Sequence, residues 1–223
     1  MATTPITSDR PLRRDAERNR QLILAAARDA FAEDGLAVTL DEIARRAGVG
    51  VGTVYRRFAD KEALIDALFV DQMSAFAAVA EECLQADDPW EGLVSFLEQT
   101  TCRHASDRGL KQIALSGSHG CERIARAREL MFPLVTRLVE RAQADGSLRP
   151  DVSATDLPLL QLMLGSLTDC TAAVEPDIWK RYLGIVVDGL RTRRDGPSDL
   201  GIDPLTPEQT QRTMSCWRPS AAR

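Results

Sequence analysis

The sequence predicts an all-α protein, with a short N-terminal group of helices followed by a larger C-terminal helical part. Three observations carry that prediction. Apolar residues recur at helical spacing through most of the 223 positions, while alternation of β-branched residues is scarce. Aromatic residues make up only 5% of the chain, too few for a sheet-rich sandwich. Between Thr39 and Lys61 the run TLDEIARRAGVGVGTVYRRFADK sets two short helices about a glycine turn, the pattern of a helix-turn-helix.

Composition narrows the class. A chain of 223 residues with 44% hydrophobic and 27% charged content holds one or two domains and buries a sizeable core. No apolar run reads as a membrane helix of about 18 residues or more, and the start MATTPITSDRPLRR lacks the hydrophobic region of a secretory signal. Five scattered cysteines, an odd number, point away from a disulfide framework and toward a reducing cytoplasm. The net charge of -5 is unevenly held: residues 1–66 carry 11 Lys+Arg and 11 Asp+Glu, so the acidity belongs to the rest. From Arg45 to Lys61 five cations face only Asp60, the local positive surface that phosphate binding requires.

Taken in order, residues 1–14 lack periodicity and place Arg10, Arg13 and Arg14 beside two prolines. They read as a flexible basic arm, either a solvated tail or one that reaches phosphates or a minor groove. From about Asp15 to Asp34 the spacing of Ile23, Ala26, Ala27, Ala30 and Phe31 predicts a helix ended by Gly35. Thr39 and Glu42 have the spacing of a capping box, so a helix begins near Leu40 with Ile43, Ala44 and Ala47 inward. Gly48 ends it, and Gly48 with Gly50 supplies the turn.

Val51, Val54 and Phe58 then recur as the inner face of a second helix, while Gly52, Thr53, Arg56 and Arg57 turn outward and Tyr55 sits at the edge. Such a helix fits a major groove, with Gly52 allowing close backbone approach. Asp60 caps the next helix. Lys61 falls in its first turn, where the helix dipole disfavours a cation and an outside anion gives a reason for one. The expected DNA contacts are therefore Gly52, Thr53, Tyr55, Arg56, Arg57 and Lys61, with Thr39 at the phosphate edge; Val51, Val54 and Phe58 hold the helix in place.

This run closely resembles the DNA-binding segment of the tetracycline-repressor (TetR) family, whose pattern is roughly T-x-x-x-I-A-x-x-A-G-V-S-x-G-T-x-Y-x-x-F-x-x-K-E-x-L. Thr39, Ile43, Ala44, Ala47, Gly48, Val49, Gly52, Thr53, Tyr55, Phe58, Lys61, Glu62 and Leu64 meet it, and Gly50 departs from it, standing where a serine usually caps the recognition helix and often touches a phosphate. The resemblance implies an all-helical homodimer, with an N-terminal three-helix helix-turn-helix domain and a larger C-terminal ligand and dimerisation domain. It also implies repression of transcription until a small molecule enters that second domain. The expected division is a basic arm over 1–14, a DNA-binding domain over 15–66, a ligand-binding and dimerisation domain over 67–194 and a loosely ordered tail over 195–223. The expected partners are a double-stranded DNA operator, a second copy of the chain and a small-molecule effector, with no cofactor and no membrane.

After Asp60 a long helix carries Leu64, Leu68 and Phe69 on to about Ala86, where Asp87, Asp88 and Pro89 break it. Leu93, Phe96, Leu97 and Thr100 mark a further helix, and Leu110, Ile113 and Ala114 a short one. A longer helix over about Glu122–Ala144 contains Pro133, which predicts a kink or two helices in its place. The last pair, about Asp156–Ala173 and Asp177–Arg193, is the most apolar part of the chain. Two packings satisfy it, a self-associating four-helix interface or a wholly intramolecular one.

Trp90, Phe96, Met131, Phe132 and Met163 are candidates to line an effector pocket, although such side chains more commonly build core. Cys102 and His104, with His119 and Cys121, form mirrored C-x-H and H-x-C pairs able to hold a thiophilic metal or sense oxidation if both segments are looped; the plainer alternative is buried thiols and partly exposed imidazoles. Two histidines, no phosphate-cradling glycine loop and no nucleophile elbow argue against an enzyme. A constitutive or corepressor-dependent DNA-binding factor stays open beside the inducible repressor.

Overall fold

The computed structural model describes residues 9–106, 120–193, 196 and 199–216. Among them it has nine α-helices: α1 Asp9–Asp34, α2 Leu40–Ala47, α3 Val51–Arg57, α4 Lys61–Cys83, α5 Pro89–Ser106, α6 Gly120–Ala144, α7 Asp156–Thr171, α8 Trp179–Leu190 and α9 Pro207–Cys216. A 3-10 turn, Gly35–Ala37, follows α1. Helix α1 begins at Asp9, inside the stretch expected to be an arm. Contacts divide the chain into two compact units, the first reaching Gln72 within α4 and the second opening at Met73.

The first unit is built on α1. Ile23, Leu24, Ala27, Ala30 and Phe31 are buried along its inner face and meet Ile43 and Ala44 of α2, Val54 of α3, Phe58, and Leu64, Ile65 and Leu68 of α4. Beyond that core, Asp71 of α4 pairs with Arg28 and, at 3.7 Å, with Arg20. Helix α4 contains an 18-residue window of mean hydropathy 1.5, so among the described residues it alone has the length and composition of a membrane span. That corrects the expectation that no stretch comes near one. Asp66 and Asp71 interrupt the apolar run, which hides its average, and the amino end of the helix is buried in the first unit's core.

In the second unit, Val79, Ala80 and Cys83 of α4 pack with Trp90, Leu93, Phe96 and Leu97 of α5, Leu138 and Ala142 of α6, Leu157 and Leu164 of α7, and Trp179 and Leu183 of α8. The residues that end α4 also start α5. Asp88 accepts from the N–H groups of Trp90 at 2.7 Å and Glu91 at 3.1 Å, and Pro89 takes the first helical position, where its missing N–H costs nothing. Arg141 of α6 donates to the carbonyls of Leu84 and, at 2.8 Å, Ala86, satisfying acceptors that the end of α4 leaves open. A buried polar junction joins α5 to α7: Gln161 donates to the Thr100 hydroxyl at 2.6 Å and the Leu97 carbonyl at 3.2 Å, and accepts from Thr101 at 2.9 Å.

Of the kink or two helices expected at Pro133, the split does not occur: the proline, exposed, lies inside a single continuous α6. One expectation changes here. The tail expected to be loose contains α9. Thr206 accepts from the Gln209 N–H at 3.2 Å and Gln209 Oε1 accepts from the Thr206 N–H at 2.8 Å, a reciprocal capping box with Pro207 between them. Arg181 of α8 holds the connecting segment by donating to the Ile202 carbonyl at 2.9 Å, and Thr213 of α9 is buried. The short helix expected around Leu110, Ile113 and Ala114 lies outside the described residues.

Gly92 marks a tight crossing in the second unit: a Cβ there would stand 2.5 Å from the Cys83 carbonyl oxygen. Gly92→Ala is therefore expected to destabilise the chain by about 1–3 kcal/mol through overpacking against backbone. Reversible denaturant unfolding measures it, and an unchanged midpoint would refute the close approach.

Candidate nucleic-acid interface

The surface built by α2 and α3 rests on local caps. Thr39 accepts from the Glu42 N–H at 3.2 Å and starts α2; the Glu42 carboxylate does not complete a box but pairs with Arg45 at 3.0 Å and Arg46 at 3.6 Å. At the other end Gly48 takes φ 66°, its N–H donates to the Arg45 carbonyl at 3.3 Å, and the Val49 N–H donates to the Ala44 carbonyl at 3.1 Å. That is a Schellman ending, which turns the chain sharply and leaves few carbonyls unpaired. Gly50 then caps α3 with its carbonyl alone, accepting from Thr53 N–H at 2.7 Å. Asp60 caps α4 by accepting from the Ala63 N–H at 2.8 Å, as expected.

Helix α3 is anchored by Val54, which is fully buried, and by Phe58, which lies just past its end and donates its N–H to the Val54 carbonyl at 2.8 Å. Val51 does not join them. It is 43% exposed, a correction to its expected inner position, because it opens the helix at the turn, one turn before the residue that the core buries, Val54. Val49, from the turn, packs against the core in its place.

Of the expected contact residues, Gly52, Tyr55, Arg56 and Arg57 are exposed, Thr53 is half-buried and Thr39 is exposed at the start of α2. Arg56 donates to the Thr53 hydroxyl at 3.0 Å, so the two act as one polar group. The charge of Asp41 pushes the Tyr55 phenol up from its ordinary range, with partial burial and a hydrogen bond to the same carboxylate adding to it, so the hydroxyl stays protonated. Nothing inside the protein requires glycine at 52, since a Cβ there would meet only Arg56 Nη1 at 3.8 Å.

The five cations of this stretch have different surroundings. Arg46 reaches back to the end of α1, donating to Glu33 at 2.7 Å and to Asp34; these bonds raise its pKa and tie α2 to α1. Lys61 donates to the Leu36 carbonyl and lies 5.9 Å from the centre of the Phe31 ring, a cation held by the last carbonyls after α1. Arg56 and Arg57 project outward from α3. Spacing alone did not signal the Arg46 clamp, since its partners lie 12 and 13 residues upstream.

The candidate pocket residues do not converge. Trp90 and Phe96 are core, Met131 is half-buried against that core, and Phe132 is exposed in an open groove of about 320 Å³ with Glu129, Pro133 and Thr155. Met163 is 58% exposed on the outer face of α7. Trp90 also lies along a second groove of about 300 Å³ with Glu91, Val94, Ser95, Glu98, Val187 and Arg191, whose guanidinium sits 4.5 Å from the Trp90 ring centre. His119 and the side chains of His104 and Cys121 fall outside the described residues; Cys102 is exposed.

The family of bacterial regulatory proteins described as tetR matches residues 23–68, and that of the SbtR-like transcriptional regulator C-terminal domain matches residues 88–192. The structure is similar to the TetR transcription regulatory protein from Mycobacterium vanbaalenii, with a TM-score of 0.64, 34% identity and coverage of 82% of this chain and 100% of that one. It is similar to SmeT, the repressor of the Stenotrophomonas maltophilia multidrug efflux pump SmeDEF, with a TM-score of 0.60, 25% identity and coverage of 86% and 100%. The regulator UidR of Escherichia coli strain K12 is 27% identical over 165 residues, 71% of this chain and 84% of that protein.

The two turn glycines are expected to respond oppositely to substitution. Gly48→Ala puts a side chain at φ 66° and costs about 1–2 kcal/mol. Gly50→Ser, whose Cβ would lie 3.7 Å from Thr53 Oγ1, is accommodated and adds a few tenths of a kcal/mol as an N-cap, roughly the serine advantage over glycine. Thermal unfolding of the two variants beside the parent separates them.

Proposed function

The chain belongs to the TetR family of bacterial regulatory proteins, a DNA-binding transcription regulator and not an enzyme, and we propose that it works as a homodimeric repressor of a palindromic operator, released by a small-molecule effector taken up by the C-terminal unit. The observation that carries this reading is the outward face of α3. Gly52, Thr53, Tyr55, Arg56 and Arg57 share it on a helix whose opposite side is fixed by Val54. In this reading Gly52 lets the backbone approach base edges, Tyr55 and the Arg56–Thr53 pair contact bases or phosphates, and Arg57 neutralises a phosphate. Thr39, whose oxygen accepts from Glu42, still has its own proton to donate to a phosphate. Lys61 keeps two further N–H donors beyond the one on Leu36.

Dimerisation is supported by the outer faces of the last helix pair. Leu159, Leu162 and Met163 of α7 and Tyr182 and Ile185 of α8 are exposed at helical spacing, an apolar surface that a two-fold copy of itself would cover as a four-helix contact. Two readers held by such a contact span half-sites about one helical turn, roughly 34–36 Å, apart. An effector releases the operator by favouring a state in which that spacing no longer fits. Moving the population from 99:1 to 1:99 takes about 5.5 kcal/mol of differential affinity, within reach of a ligand that buries substantial apolar area. In this reading the repressor acts in the cytoplasm, on double-stranded DNA, without a membrane partner.

Duplexes selected from a random pool supply the test of DNA reading. Arg57→Ala is expected to weaken binding to the selected duplex about tenfold or more and to lower the salt slope by about 1, with the dimer intact. Gly52→Ala is expected to weaken binding while the fold gains up to about 1 kcal/mol of helix propensity, an opposition that a scaffold glycine would not produce. Full-affinity binding by both variants would sink this assignment of α3. The dimer contact has its own check: Leu159→Glu with Leu162→Glu is expected to give a folded monomer in sedimentation equilibrium, and an unchanged dimer would place the contact elsewhere.

A further inference from the structure

Val51 is a β-branched apolar residue, 43% exposed at the start of a seven-residue helix, and no packing accounts for it. Tyr55, one turn along at i+4, is 49% exposed, with the charge of Asp41 close enough to raise the pKa of its phenol. Residues at i and i+4 share a helix face, so Val51 and the Tyr55 ring form a short apolar strip. Gly52 borders it without a side chain, and Arg56 and Arg57 flank it with positive charge. An exposed apolar strip with two cations on the same helix complements a surface that is apolar at one spot and anionic nearby.

The major groove has one such spot. Among the four bases only thymine shows an apolar group there, its C5-methyl; guanine, adenine and cytosine present acceptors and donors. Valine has neither donor nor acceptor, so against those edges it would strip water from polar groups and return nothing. We propose that Val51 reads the C5-methyl group of a thymine in each operator half-site, a specificity determinant that rests on the reading of α3 as the DNA-contacting helix. The glycine at 52 removes the side chain that would otherwise hold the backbone away from that methyl.

Replacing thymine by deoxyuridine removes this methyl and leaves every hydrogen-bonding group in place. The test takes the full-length dimer and a duplex selected from a random pool, and substitutes dU for dT one position at a time, symmetrically in both half-sites. At one position per half-site the parent protein is expected to lose about fourfold for each methyl, hence the square of that for the symmetric pair. Val51→Ala is expected to bind the dT and dU duplexes equally at that position, and Val51→Ile to restore the preference. Because Val51 is exposed, neither change disturbs the core, and circular dichroism verifies this. Binding that is indifferent to every dU, or a preference retained in Val51→Ala, overturns the proposal while leaving α3 as the reader. Failure to recover any duplex overturns the reading beneath it as well.

Discussion

Seven residues are too few to hold an α-helix in water, because the nucleating turn costs more than the few bonds that follow return. Helix α3 spans only Val51–Arg57, and one fully buried side chain, Val54, fixes it to the body of the first unit. Everything around it compensates for that shortness. The Schellman turn at Gly48 sets the angle at which the chain enters, Val49 packs beneath that turn, and Phe58 closes the far end with a backbone bond to Val54. Arg46 and Lys61 then bind the elements on either side of α3 to the end of α1 and the turn after it. A helix that is rigid only through its neighbours keeps its outer face free of core packing, which is the condition for reading another molecule with it.

The same economy governs charge. Placing five cations in one short stretch produces a positive surface, yet three of them have partners inside the protein: Arg45 pairs with Glu42, Arg46 with Glu33, Asp34 and Glu42, and Lys61 donates to the Leu36 carbonyl. Arg56 and Arg57 supply the outward charge from the same helix that carries Gly52 and Tyr55. In the proposed reading, phosphate attraction falls beside the surface that approaches base edges, so that positioning and discrimination come from one element. The departure at Gly50 removes a side-chain hydroxyl from this edge without altering the turn, since its carbonyl still accepts from Thr53.

The second unit is held by a different balance. Its core carries buried polar groups among the apolar ones, and of these Gln161 sits between α5 and α7 with its amide donating to Thr100 and Leu97 and its oxygen accepting from Thr101. A satisfied buried amide adds little net stability but fixes the register of two helices, because any slip would leave it unpaired. Register matters here: it decides which side of α7 faces in. Leu157 and Leu164 are buried, and Leu159, Leu162 and Met163 are left exposed.

The sequence by itself determined the features that are local. The caps at Thr39 and Asp60, the glycine turn, the inner face of α1 and the order of most helices all follow from residues within a few positions of one another, where backbone geometry leaves little choice. The capping box at Thr206 and Gln209 was legible in the same way, although the prolines around it conceal it. Tertiary structure alone decided the rest. Periodicity reports that a helix has an apolar face but not which of its apolar residues the fold covers, so Val51 emerges outside, Met163 faces away from the core, and α4 reads as a connector despite its span-like average. Charge counts report cations but not their partners, and only the folded chain brings Glu33 and Asp34 to Arg46 and the Leu36 carbonyl to Lys61. Those pairings act between elements distant along the chain, and no spacing rule reaches them.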